Sequence, residues 1–313
     1  MKKLLLYLLL FLTVTGFTPE KNKVYLFSYF KGNGEDGLHL AYSIDGMNFK
    51  ILNNDNSFLT PDVGVSRLMR DPCIIHTDDG IFHMVWTAGW TERGIGYASS
   101  KDLINWSEQK YIGVMDKEPT AKNCWAPEII YDKKNKQFLI FWATTIPGRF
   151  PESEKSGDTG YNHRIYSVTT KDFKKISDTQ LFYDKGFNVI DATIVNTGEN
   201  YVMFVKDETR EPPQKNIRVT TSGSLYGPWS APSAPITGKY WAEGPTSIKL
   251  DDTWYVYFDK YTEKKFGAVK SKDLIHWEDV SDKITFPDGA RHGTIFEVNE
   301  KTLEKLLNKG SIR

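Results

Sequence analysis

Cysteine is nearly absent: Cys73 and Cys124 are the only two in 313 residues. That excludes a disulfide framework. One bridge between them and two small buried thiols are both compatible with the sequence. No Cys/His cluster has zinc-ligand spacing. Neither sign of charge dominates, with 40 Lys and Arg against 40 Asp and Glu. A chain without a basic surplus is a poor partner for nucleic acid and lacks a polybasic membrane anchor. Long apolar runs are missing beyond the first residues. The stretch from Leu4 to Val14 is too short to span a bilayer comfortably. Lys2 and Lys3 precede it and Val14-Thr15-Gly16 closes it, so residues 1–16 read as a secretory signal peptide. The expected mature protein is a periplasmic or secreted monomer without a membrane span, one domain over 20–313.

What the chain has in quantity is aromatic: 9 Trp, 16 Tyr and 18 Phe. Aromatics favour strands, and a surplus beyond core needs suits stacking on a ligand. One phrase recurs at strand ends: Ser, any residue, Asp, then an aromatic. It appears at Ser43-Ile44-Asp45 with Phe49, Ser100-Lys101-Asp102 with Trp106, and Ser271-Lys272-Asp273 with Trp277. Weaker copies are Thr170-Lys171-Asp172, lacking the aromatic, and Ser222-Gly223-Ser224 with Trp229. Ser and Asp there are turn formers through side-chain to backbone bonds.

The same order of strands precedes each copy. A short apolar strand comes first, opening at Asp71-Pro72, Ala126-Pro127, Asp191-Ala192, Gly244-Pro245 and His292-Gly293. An aromatic-rich strand and a strand ending in Ser or Thr follow. The fifth unit is split, its first strand near the C-terminus and the next two at Val24 to Phe30 and Leu38 to Tyr42. Units of this size with four strands each are what propeller blades look like. The expectation is an all-β, five-bladed β-propeller whose last blade is closed by N-terminal strands. Residues 301–308 read as a short helix outside the ring.

In a propeller the first strand of each blade lines the channel, and the loop between second and third strands returns to the same mouth. Asp71, Asp191, Glu243 and His292 then fall at equivalent points around that mouth. The long 146–163 segment joins them there, and long loops on a rigid scaffold tend to carry function. Three carboxylates around one channel repel each other and lose solvation, so the cluster wants a chemical reason. Glycoside hydrolysis supplies one, because it needs an acid for the leaving oxygen and a second carboxylate for water or the sugar. Taken singly, Asp71 before Pro72 and Glu243 before Gly-Pro also fit plain turns. Trp90 and Trp125 are candidate stacking walls. Arg70 and Arg291 are placed to hold a carboxylate or a sugar hydroxyl.

These residues resemble glycoside hydrolase family 43 over nearly the whole mature chain. The carrying motifs are Arg70-Asp71-Pro72, Trp125-Ala126-Pro127-Glu128, Ile190-Asp191-Ala192, Glu243-Gly244-Pro245 and His292-Gly293, in that order. The resemblance implies an inverting hydrolase with Asp71 as general base, Glu243 as general acid and Asp191 tuning the acid. It implies that no cofactor is required, with a structural calcium in the channel held near His292 through water. The implied substrates are oligosaccharides or polysaccharides of plant cell walls, and an exo-α-L-arabinofuranosidase is the leading expectation. A β-xylosidase, a galactosidase or galactofuranosidase, and a non-catalytic carbohydrate-binding propeller are the alternatives. The third motif departs from the family's usual Asp-Pro by reading Asp-Ala.

Overall fold

A computed structural model describes residues 23–309, so the signal peptide expected over 1–16 lies outside the described residues. The strands form five antiparallel sheets, each a blade. Blade one is Arg70–His76, Phe82–Thr87, Ile95–Ser100 and Lys110–Ile112. Blade two is Trp125–Asp132, Gln137–Thr145, His163–Thr170 and Gln180–Tyr183. Blade three is Val189–Asn196, Tyr201–Asp207 and Asn216–Ser222. Blade four is Glu243–Leu250, Thr253–Lys260, Lys265–Ser271 and Glu278–Asp279. Blade five joins Arg291–Val298 to Val24–Phe30, His39–Ser43 and Lys50–Ile51. The two ends of the chain meet there, in register from Val24 opposite Val298 to Ser28 opposite Thr294. The expected five-bladed propeller and its split last blade are what the structure shows.

Middle strands are buried on both faces because each sheet packs against two neighbours. Phe138 to Ala143 are all under 10% exposed, which explains the near-continuous apolar runs. Between blades one and two, Cys73 and Val85 pack with Ile129, Ile140 and Trp142. Both cysteines are buried and free, so no bridge joins them. The recurrent Asp works as expected. Asp102 Oδ1 accepts the Ile104 and Asn105 N–H groups at 2.9 and 2.7 Å, and Asp273 Oδ1 repeats this on Ile275 and His276.

One expectation is corrected. Blade three has three strands, not four. The 230–236 segment runs where a fourth strand belongs, and bonds to the third only through Ser230, Ser233 and Ile236. Pro232 and Pro235 interrupt it, and proline has no N–H to give a ladder. The C-terminal helix is Glu300–Lys309, with Leu306 buried against the apolar cluster of blades five and one.

Candidate active site

Every blade opens with the same irregularity. Between Arg70 and Cys73 the inner strand uses one more residue than its partner, and the shift recurs at Trp125/Glu128, Ile190/Thr193, Glu243/Thr246 and Arg291/Thr294. These are β-bulges, which re-aim side chains and often border active sites. The second bulge residue is left-handed in four blades: Asp71 at φ 51°, Ala126 at 47°, Asp191 at 51° and Gly244 at 58°. A non-glycine residue in that region is held by its surroundings and marks functional strain.

The bulges correct the expected equivalence of the four mouth residues. Asp71, Asp191 and His292 share the second position with Ala126 and Gly244. Glu243 is one residue earlier, in the position of Arg70, Trp125, Ile190 and Arg291. Gly244 must be glycine, since a Cβ there would lie 2.3 Å from Cγ of His292.

Asp71 is positioned by a hydroxyl. Thr87 Oγ1 donates to Asp71 Oδ2 at 2.7 Å and accepts the Ala126 N–H at 2.8 Å. The second bond commits the single hydroxyl proton to the carboxylate. Asp71 Oδ1 lies 3.4 Å from His292 Nδ1. Burial opposes a charge on His292, but Asp191, Asp71, Glu243 and Glu128 outweigh it and raise its pKa. Asp191 is 6% exposed and accepts the Gly244 N–H at 3.0 Å. Burial pushes its carboxyl up to about 6, with His292 and Lys206 resisting and Glu243 and Asp71 adding to the rise.

Glu243 is gripped by two cations. Lys206 Nζ donates to Oε2 at 3.0 Å and an Arg291 terminal nitrogen donates to Oε1 at 3.1 Å. Burial alone would raise this carboxyl, but Lys206 and then Arg291 draw it below its ordinary value. Arg291 is itself held by Asp259 at 2.8 Å. Beneath these groups Glu128 accepts Thr193 and Thr294 hydroxyls at 3.0 and 3.4 Å, from two other blades. Burial lifts it to about 7, against the pull of His292.

The wall beside Asp71 is aromatic. The Arg70 guanidinium lies 4.6 Å from the Phe30 ring and 4.2 Å from the Trp90 ring. Trp90 Nε1 donates to Asn33 Oδ1 and Trp125 Nε1 to the Trp90 carbonyl, both at 2.9 Å. Trp125 also meets Tyr161 at 4.7 Å between centroids.

A family described as "Probable glycosyl hydrolase domain", related to glycoside hydrolase family 43, matches residues 20–304. The chain belongs to this family. An α-L-arabinofuranosidase of Bifidobacterium longum is 26% identical over 299 residues, 78% of this chain but 27% of that protein. The domain thus spans about a quarter of that relative's length. A thermostable family-43 glycoside hydrolase has the same fold, with TM-score 0.54 at 15% identity over 73% of this chain and 82% of that one. An α-L-arabinofuranosidase from Lactobacillus brevis gives TM-score 0.54 at 16% identity, over 68% and 72% of the two chains.

Within this family-43-related domain, the structure brings Asp71, Asp191, Glu243, Arg291 and His292 into one linked cluster and sets Arg70, Trp90 and Trp125 on its rim. Sequence reasoning missed Lys206 and Asp259. They are the penultimate residues of the second strands of blades three and four, opposite Ile190 and Glu243. Thr87 holds the corresponding place opposite Arg70. The end of each second strand was therefore the missing signal. The 146–163 segment is pinned by Arg164, fully buried among Asp184, Glu152 and Ser153. Among the described residues, no group of three or more His, Cys, Asp or Glu could hold a metal. Asp71 Oδ1 is turned toward His292 Nδ1, the arrangement of an ion pair rather than of a calcium's oxygen shell.

Proposed function

We infer that this domain is an inverting glycosidase acting on plant cell-wall oligosaccharides or polysaccharides, and that its first substrate class is α-L-arabinofuranosides. The observation that carries the reading is the pairing of Asp71 and Glu243 in one mouth with opposite kinds of support. Asp71, fixed by Thr87 and open to water beside His292, is the general base. It takes a proton from the water that attacks the anomeric carbon. Glu243 is the general acid that protonates the departing oxygen. Asp191, bonded to the Gly244 N–H next to it, fixes the acid's position, and its charge raises the acid's proton affinity. In the open mouth Lys206 and Arg291 keep Glu243 ionised. A sugar that fills the mouth removes water from this carboxyl and favours its protonated form.

The arabinose preference is supported by the names of two similar proteins. A panel of aryl arabinofuranosides, xylosides, galactosides and galactofuranosides tests it, with proton NMR of the first-formed anomer testing inversion. Preferred turnover of a xyloside or galactoside would replace the sugar but keep the mechanism. Retention of configuration would overturn the base role of Asp71. Saturable sugar binding without product across the panel would leave only a binding propeller. Export belongs to the same reading, motivated by Lys2, Lys3 and the apolar stretch after them. N-terminal sequencing is expected to find the secreted protein starting just after Gly16, and an intact Met1 would refute a cleaved leader.

A further inference from the structure

The acid side of the mouth carries an aromatic pair that none of these roles uses. Trp241 lies two residues before Glu243 and is partly exposed. Its neighbour Ala242 is anchored by an N–H bond to the Lys215 carbonyl at 2.9 Å. The indole sits 5.9 Å from the Tyr261 ring. The Arg210 guanidinium and Lys215 ammonium lie 5.2 and 5.7 Å from its centroid. Tyr261 in turn covers Lys206 Nζ at 4.9 Å, and that ammonium holds Glu243. Tyr261 therefore lies between Trp241 and the ammonium that holds the acid. Asp158 pairs with both Arg210 and Lys215, so the cations are held against the indole before any ligand arrives.

A general acid delivers its proton to the oxygen on the leaving-group side of the bond. The wall beside Glu243 is thus where the leaving group rests, while Arg70, Trp90 and Trp125 flank the base. An indole offers a broad flat face. A pyranose chair presents a flat row of C–H bonds to such a face, and a puckered furanose presents less. We propose that Trp241, backed by Tyr261, is the platform for the leaving group and selects a pyranose over a furanose there. The inference rests on Glu243 being the acid, as proposed above. It makes the substrate a glycosyl branch on a pyranose-built chain rather than a chain of furanoses.

Three substrates separate the contributions in wild type, Trp241→Ala and Trp241→Phe. They are α-L-arabinofuranosyl fluoride, an arabinofuranosyl-substituted xylo-oligosaccharide, and an arabino-oligosaccharide. The fluoride's leaving group has no ring to stack. Trp241→Ala is expected to lose about tenfold or more in kcat/KM on the xylo-oligosaccharide. It should leave the fluoride rate unchanged, change the arabino-oligosaccharide little, and be largely rescued by Phe. Equal loss on all three, or none on the xylo-oligosaccharide, overturns the proposal. Calorimetric binding of xylotriose, weakened in Trp241→Ala, reads the platform without turnover. A wild type that turns over none of the three but binds xylotriose through Trp241 would sink the hydrolase reading and keep the platform. Xylotriose binding that is absent, or unaffected by the substitution, refutes the platform itself.

Discussion

Asp71 and Glu243 belong to one mouth but are held by opposite means. Asp71 receives a neutral hydroxyl from Thr87 and faces the His292 imidazole. Glu243 receives an ammonium and a guanidinium, from Lys206 and Arg291. The difference starts in the bulge. Asp71 occupies its second residue, turned toward its own blade's Thr87. Glu243 occupies the first, within reach of Lys206 on the blade before and Arg291 on the blade after. One backbone device, shifted by one residue, thus gives the two carboxylates different partners.

The largest effect should come from breaking each side in turn. Asp71→Asn and Glu243→Gln are each expected to lower kcat by about 10²–10⁴ on a substrate with a poor leaving group. On arabinofuranosyl fluoride, whose departure needs less proton assistance, Glu243→Gln should recover most of its rate while Asp71→Asn stays impaired. Equal losses on both substrates would erase the distinction between the two sides.

Glu128 sharpens the comparison from beneath. Its carboxyl stands at about 7, above its ordinary value, mainly through burial. The folded state therefore binds more protons than the unfolded state between the ordinary carboxylate range and pH 7. Stability falls as pH rises through that window. Glu128→Gln removes this loss. Its stability relative to wild type should rise by about 2–3 kcal/mol between pH 5 and pH 8. Urea midpoints at both pH values check this, and a constant difference would contradict it.

The smallest effects should separate hydroxyl from cation. Thr87→Val removes the bond to Asp71 and leaves the Ala126 N–H unpaired, so kcat/KM should fall about tenfold at every pH. Lys206→Met should instead move a limb of the pH–rate profile. Without the ammonium the Glu243 carboxyl rises, and the alkaline limb shifts to higher pH. A profile unchanged in Lys206→Met would remove that lysine from the acid's control.

Much of the architecture was legible because strands and turns are local. Asp45, Asp102, Asp172 and Asp273 each bond to backbone N–H groups two and three residues on, so the punctuation shows in the letters. The break in blade three was legible too, in Pro232 and Pro235, although the repeat hid it. Lys206 and Asp259 were not. Each reads as the charged end of a strand, and only the neighbouring blade turns it into a partner of Glu243 or Arg291.

The sequence by itself determined the five-fold period, the closure of the ring by the chain ends, and which carboxylates open the inner strands. The period and the carboxylate positions follow from hydrophobic patterning and turn chemistry within a few tens of residues, and the closure follows from the repeat itself, whose fifth unit is divided between the two ends of the chain. Only the tertiary structure decided that Glu243 stands one bulge position away from Asp71, Asp191 and His292, and which cations surround it. Those contacts join residues from different blades, as Arg291 meets Glu243 across 48 positions of chain. Their energies depend on burial and distance, quantities that no local pattern encodes.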